Sequence, residues 1–123
     1  MFSKEPLGPV VAVVDSEWAR VVETVVSATI QAEAYGLTSA NVLDVGDDTD
    51  PALQRFIGFN GDAEAATDEV VAGSLPEDFA LQVVSQVGNY GEIFDRNLAS
   101  LGVERGLNAQ WTDGDLMYSP PFV

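Results

Sequence analysis

Residues 9–36, PVVAVVDSEWARVVETVVSATIQAEAYG, decide what kind of fold this chain builds. The uncharged run of Val and Ala from Val10 to Val14 follows the turn formers Pro6, Gly8 and Pro9. Its β-branched content predicts a short buried strand over residues 9–14. Asp15 or Ser16 is then placed to cap a helix, with Glu17 in an acidic first turn. Trp18, Val21, Val22, Val25, Val26 and Ile30 recur at helical spacing as one apolar stripe. Gly36, after Tyr35, supplies the C-terminal stop. So many valines lower intrinsic helix propensity, so burial must hold this helix in place.

Downstream the pattern stays helical. Thr38 or Ser39 can cap a short turn through Val42, and residues 44–50 read as loop. Asp50 and Pro51 start a second helix, because Pro in the first turn gives up an amide hydrogen that would be unpaired anyway. Leu53, Phe56 and Ile57 form its buried face and Gly58 closes it. Residues 62–71 are compatible with a weak helix or an ordered loop. Ser74 and Pro76 introduce a clearer helix through Val87, with Phe79, Val83, Val84 and Val87 on one face. After Gly88, Asn89 with Glu92 three residues on forms a capping-box start for a helix to about Leu98. The tail, 102–123, is rich in turn residues and should wrap as extended chain and turns.

The expected architecture is mainly α with one short N-terminal strand: a strand segment (1–14), a helical part (15–101) and a C-terminal wrap (102–123), in a single domain or fragment. A lone strand leaves both edges unpaired, which places its partners outside this chain.

Composition narrows the function. At 123 residues, with 46% hydrophobic and 20% charged residues, the chain has the size and make-up of one globular domain. Asp+Glu 20 against Lys+Arg 5 gives a formal net charge of -15, which opposes nucleic acid and anionic lipid. Solubility, or adaptation to a salty medium, accounts for that charge. The absence of Cys excludes disulfides and thiolate chemistry, and the absence of His removes Ser-His-Asp catalysis. The apolar run Val10 to Val14 is far short of the roughly 20 residues that span a bilayer, so no membrane insertion is expected. Lys4 followed by Glu5 and Pro6 does not read as a secretory signal.

Candidate sites fall to simpler readings. The acids Asp44, Asp47, Asp48 and Asp50 lack the calcium-loop pattern, since the twelfth position is Arg55 or Phe59 instead of Glu. Of the carboxylates, Glu33 and Glu92 alone sit in apolar or aromatic surroundings, and Glu92 already has a capping role. Gly88, Asn89 and Gly91 lack the Lys and the spacing of a phosphate loop. Tyr90, Phe94, Trp111 and Tyr118 read as core and helix-to-tail packing. No catalytic residue, metal ligand or cofactor is expected, and the chain is not expected to be an enzyme.

Several stretches, in order, resemble one family, the general (polar) L-amino-acid-binding proteins of ABC importers, which are type 2 periplasmic binding proteins. They are Ser3-Lys4-Glu5-Pro6-Leu7-Gly8-Pro9 with Asp15 and Trp18, Ala32-Glu33 with Gly36-Leu37-Thr38-Ser39-Ala40-Asn41-Val42, and Gln86-Val87-Gly88-Asn89-Tyr90-Gly91-Glu92-Ile93-Phe94 with Arg96-Asn97. Arg105-Gly106-Leu107-Asn108-Ala109, Trp111 and Leu116-Met117-Tyr118-Ser119-Pro120-Pro121 continue the series. The chain departs from the family at Ala12, where an Arg is usual, and residues 62–74 match poorly.

The resemblance implies the C-terminal portion of a two-lobed α/β fold that clamps an L-amino acid and delivers it to a membrane permease in the periplasm. Ser3, Lys4, Glu5 and Pro6 would lead into a hinge strand, and Asn89, Tyr90, Glu92, Arg96 and Asn97 would belong to helices bracing a lobe. The ligand-binding residues would lie upstream of this chain. The alternative expectation is a free-standing acidic helical domain that associates with itself or another protein through its apolar faces.

Overall fold

The computed structural model describes residues 8–12, 14–46, 50–58 and 75–120. The expectations for Ser3, Lys4, Glu5, Pro6, Asp47, Asp48, Ser74, Pro121 and residues 62–71 lie outside them.

The first helix, α1 (Ser16–Ala34), starts where the sequence places it: the Asp15 carboxylate accepts the Trp18 amide at 2.8 Å. It ends in a Schellman turn, with the Leu37 amide bonded to the Ala32 carbonyl at 2.8 Å and the Gly36 amide to the Glu33 carbonyl at 2.9 Å. The turn delivers Leu37 into the core beside Ala32.

The buried face of α1 differs from the expected stripe. Thr24, Ser27, Ala28, Thr29 and Ala32 are buried, whereas Val21, Val22, Val25, Val26 and Ile30 are only half-buried and Trp18 is exposed. Small residues face the packed helices because they let two backbones approach closely; hydrophobic bulk alone does not identify that face. Thr29 is accommodated by donating its hydroxyl to the Val26 carbonyl at 2.8 Å.

A 3-10 turn, Val42–Asp44, follows, slightly later in the chain than the expected turn ending at Val42. Helix α2 (Pro51–Phe56) is capped by the Asp50 carboxylate, which accepts the Ala52 amide at 2.8 Å. Helix α3 (Phe79–Val87) and helix α4 (Tyr90–Asn97) are separated by Gly88 and Asn89, and both pack on α1. The core is a single cluster of Ala28, Ala32, Leu37, Val42, Phe56, Ile57, Phe79, Ala80 and Val84. Val83 packs at its edge, but Val87 is exposed, so the expected face of α3 is buried only in part. Beyond α4 the chain runs through the 3-10 turns Ala99–Leu101, Gly106–Asn108 and Trp111–Asp113.

The N-terminal strand is a correction. Among the described residues there is no strand, only an isolated parallel bridge between Gln110 and Met117. Val10 and Val14 are 94% and 96% exposed, the opposite of a buried strand. A strand requires a neighbour to satisfy its amides and carbonyls, and no described segment lies alongside to do so.

Candidate functional site

Two side-chain nodes fasten the fold on either side of α4. The first is built on the capping box. Asn89 Oδ1 accepts the Glu92 amide at 2.9 Å, and Glu92 Oε2 accepts the Asn89 amide at 2.9 Å. Both residues also reach back to the loop after α1. Asn89 Nδ2 donates to the buried Leu37 carbonyl at 2.8 Å. Ser39 donates its amide to Glu92 Oε2 at 3.0 Å and its hydroxyl to Glu92 Oε1 at 2.7 Å. A local helix start thus becomes a long-range clamp between segments more than fifty residues apart.

The carboxylate of Glu92 is acted on by opposing effects. Burial pushes its pKa up, but the bonds from Ser39 and Asn89, with the charge of Arg96 nearby, outweigh burial and hold it below the ordinary value of 4.5. The sign follows. A carboxyl whose pKa is lower in the folded state stabilises the fold above its unfolded-state value, and that contribution fades as pH falls through the folded value. Glu92→Gln should therefore cost about 1 kcal/mol at neutral pH, less than the roughly 1.5 to 3 kcal/mol of a charge-assisted bond because solvent reaches this carboxylate and screens it. The gap between the two proteins should close in acid below the ordinary carboxylate value, as urea melts across pH will register.

The second node lies on the other face of α4. Glu33, on the last turn of α1, forms a bidentate ion pair with Arg105 of the tail; Arg105 Nη1 bonds Glu33 Oε1, and Nη2 bonds Oε2 at 2.9 Å. Gln110 Nε2 donates to Glu33 Oε2 at 3.1 Å and to the Ile30 carbonyl at 3.0 Å. The guanidinium lies 5.5 Å from the Tyr90 ring centroid and 5.7 Å from that of Phe94. Glu33 holds the Arg105 pKa above its ordinary value, against the opposing pull of burial. Gly91 makes room, since a Cβ there would stand 2.6 Å from Glu33 Oε1. Arg105 Nε and Gln110 Oε1 are buried without a hydrogen-bond partner.

The structure therefore brings together Asn89 and Glu92 at one node and sets Tyr90 at the other. Arg96 and Asn97 turn to backbone instead, Arg96 to the Val87 carbonyl at 3.1 Å and Asn97 to the Ile93 carbonyl at 2.7 Å. Phe94 is buried, while Trp111 and Tyr118 are exposed and do not pack as core. The Arg105–Gln110 partnership with Glu33 was not anticipated. Its one sequence signal is that Arg105 is the single basic residue after Asn97, and Glu33 an acid in an apolar setting.

An open cavity of about 240 Å³ lies elsewhere, lined by Val42, Leu43, Val45, Ile57 and Leu81 together with Gly58 and Asp78. A free amino acid presents an α-carboxylate that needs a cation or convergent amides. This cavity offers one carboxylate and no cation, so it does not suit that ligand. Among the described residues no cluster of acids is arranged to hold a metal ion, and no helix is long and apolar enough to cross a membrane.

No family model matches the chain. It is 44% identical over 126 residues to the glutamate/glutamine/aspartate/asparagine-binding protein BztA of Rhodobacter capsulatus, covering 99% of this chain and 36% of that protein. It is 42% identical over 124 residues to the general L-amino acid-binding periplasmic protein AapJ of Rhizobium johnstonii, covering 98% and 35%. A solved periplasmic binding protein of an ABC transporter from Brucella ovis, with glutathione bound, superposes with a TM-score of 0.75 at 40% identity. That match covers 89% of this chain and 34% of the other. The chain thus spans about a third of the length of the relatives it matches.

Proposed function

Starting from a chain homologous to the amino-acid-binding periplasmic proteins of ABC transporters, we propose that it is the C-terminal portion of such a solute-binding protein. The carrying observation is the match itself, nearly end to end along this chain yet confined to about a third of each relative. In this reading residues 1–14 would become a hinge-type strand only when paired with the rest of the parent, 15–101 are a helical brace on one lobe, and 102–123 a wrap that fastens the brace. Asn89 and Glu92 clamp the brace internally, and Arg96 and Asn97 finish its last helix. Ser3, Lys4, Glu5 and Pro6 lead into the hinge.

The parent would work in the periplasm. Its lobes would close on an L-amino acid about hinge strands, then present the loaded protein to a permease. The relatives' own ligands range over acidic amino acids and their amides, L-amino acids in general, and glutathione. All carry an α-amino and carboxylate pair, which demands a cation and acceptors converging on one pocket. Each node engages its charged groups internally, Glu33 with Arg105 and Glu92 with Ser39 and Asn89, which supports a scaffold role and a binding site outside this chain. Titration calorimetry of the isolated chain with a panel of L-amino acids and glutathione should register no binding. A micromolar affinity would overturn the scaffold reading.

A further inference from the structure

The cavity that does not suit a free amino acid suits a ligand of the opposite charge. Three segments wall it: the 3-10 turn Val42–Asp44, the end of α2 and the start of α3. Val42 and Ile57 are buried core residues, Val45 and Leu81 pack partly buried beside them, and Leu43 is 70% exposed. Asp78 is the one ionic group in this apolar lining. It holds the N-cap position of α3, yet its side chain makes no cap bond. Its Oδ2 accepts the neutral Gln82 Nε2 at 2.9 Å. Among the described residues the one ion pair is Glu33 with Arg105, so no described cation pairs with this half-buried carboxylate.

We propose that this cavity binds a short-chain primary alkylammonium ion, with its ammonium at the Asp78 carboxylate and its hydrocarbon against Val42, Val45, Ile57 and Leu81. The proposal goes beyond the function argued above and does not depend on it. Each part of the ligand answers one property of the lining. Apolar walls gain from burying methylenes, and a carboxylate in apolar surroundings gains from a cation that also donates hydrogen bonds. The exposed neighbours Asp44 and Glu77, with a net charge of -15 overall, enrich cations at this surface. A neutral hydrocarbon would strip water from Asp78 and return nothing. A second copy of the chain would bring the same negative charge to it. At about 240 Å³ the space is smaller than the roughly 300 to 1,000 Å³ of pockets for drug-sized ligands, which limits the hydrocarbon to a short chain.

NMR titration of the chain, following methyl and amide signals, tests this with ethyl-, propyl-, butyl- and pentylammonium chloride at fixed ionic strength and n-pentanol as the uncharged probe. The methyls of Val42, Val45, Ile57 and Leu81 should shift together. Affinity should rise about threefold per added methylene, less than full burial would give because the cavity is open. Pentanol should bind about fivefold more weakly than pentylammonium, the scale of one partly exposed ion pair. Asp78→Asn should remove that preference, and because asparagine is an equally good N-cap residue, α3 keeps its start. Equal affinity for pentanol and pentylammonium in the unsubstituted chain would overturn the proposal. So would an Asp78→Asn chain that still preferred the ammonium ion. Amide shifts spread over Asp15, Glu17 and Glu23 with no dependence on chain length would assign the effect to a counterion atmosphere, and would overturn it as well.

Discussion

Gly58→Ala is expected to lower stability by about 3 to 4 kcal/mol, a large share of what holds a domain of this size together. Gly58 sits immediately after α2 with φ +79°, in the left-handed region where a β-carbon alone costs about 1 kcal/mol. A Cβ there would also come within 2.6 Å of the Glu77 carbonyl oxygen, 2.7 Å of its carbon and 2.8 Å of the Asp78 amide nitrogen. Every one of these atoms is backbone, so no side chain can swing aside. Relief requires moving either Ile57, which is in the core, or the turn that starts α3, whose Phe79 is in the core as well. Gly102 isolates the steric share. It has φ +73° and open space where the Cβ would go, so Gly102→Ala should cost only the conformational part, about 1 kcal/mol. Urea denaturation followed by far-UV circular dichroism separates the two. Equal losses would mean that the close approach of Gly58 to residues 77 and 78 is absent.

What the sequence disclosed was what is encoded locally. The ends of α1, the proline start of α2 and the capping box of α4 each depend on residues within one turn of each other, and each formed as expected. The buried face of α1 was misjudged for a different reason. Hydrophobic periodicity finds the bulkiest stripe, but the packed face is chosen by how closely neighbouring helices can come. Thr24, Ala28 and Ala32 win that competition over Trp18 and the valines. The missing strand reflects the same dependence on partners, since β-branched residues fit a sheet without creating one.

The candidate site divides along similar lines. Resemblance singled out Asn89 and Glu92, and spacing alone gave their mutual cap. Their bonds to Leu37 and Ser39 cross more than fifty residues, so no window of sequence contains them. Arg105 and Glu33 are 72 residues apart and belong to segments of unrelated pattern. Scarcity of cations was the available clue: a chain with Lys+Arg 5 and Asp+Glu 20 can pair few of its acids, and the pairs it does bury are apt to be structural.

Arg105→Met should destabilise the chain by about 3 kcal/mol, at the lower end of the range for breaking a buried pair. The discount is physical: the Arg105 and Glu33 side chains are 20% and 16% exposed, so water softens the penalty. Methionine keeps much of the aliphatic stem against Tyr90 and Phe94, so the loss falls on the charge and its hydrogen bonds. Glu33 would keep only the single bond from Gln110, as a carboxylate in an apolar setting. Removing both charges is the decisive comparison. Glu33→Met with Arg105→Met leaves no stranded ion, and the double variant should recover a large part of the loss, a coupling of about 1 to 3 kcal/mol. Arg20→Met controls for general charge, because Arg20 is exposed and its loss makes the chain more acidic by the same amount. That variant should stay within about 0.5 kcal/mol of the parent. In the single Arg105 variant, amides of the 105–117 segment, held now to Glu33 and Ile30, should exchange with solvent faster than those of α3. Additive costs for Glu33 and Arg105, with unchanged exchange in the tail, would mean that the pair does not fasten the wrap to α1. The tail would then depend on the Gln110 bond to the Ile30 carbonyl, the Gln110–Met117 bridge and its 3-10 turns.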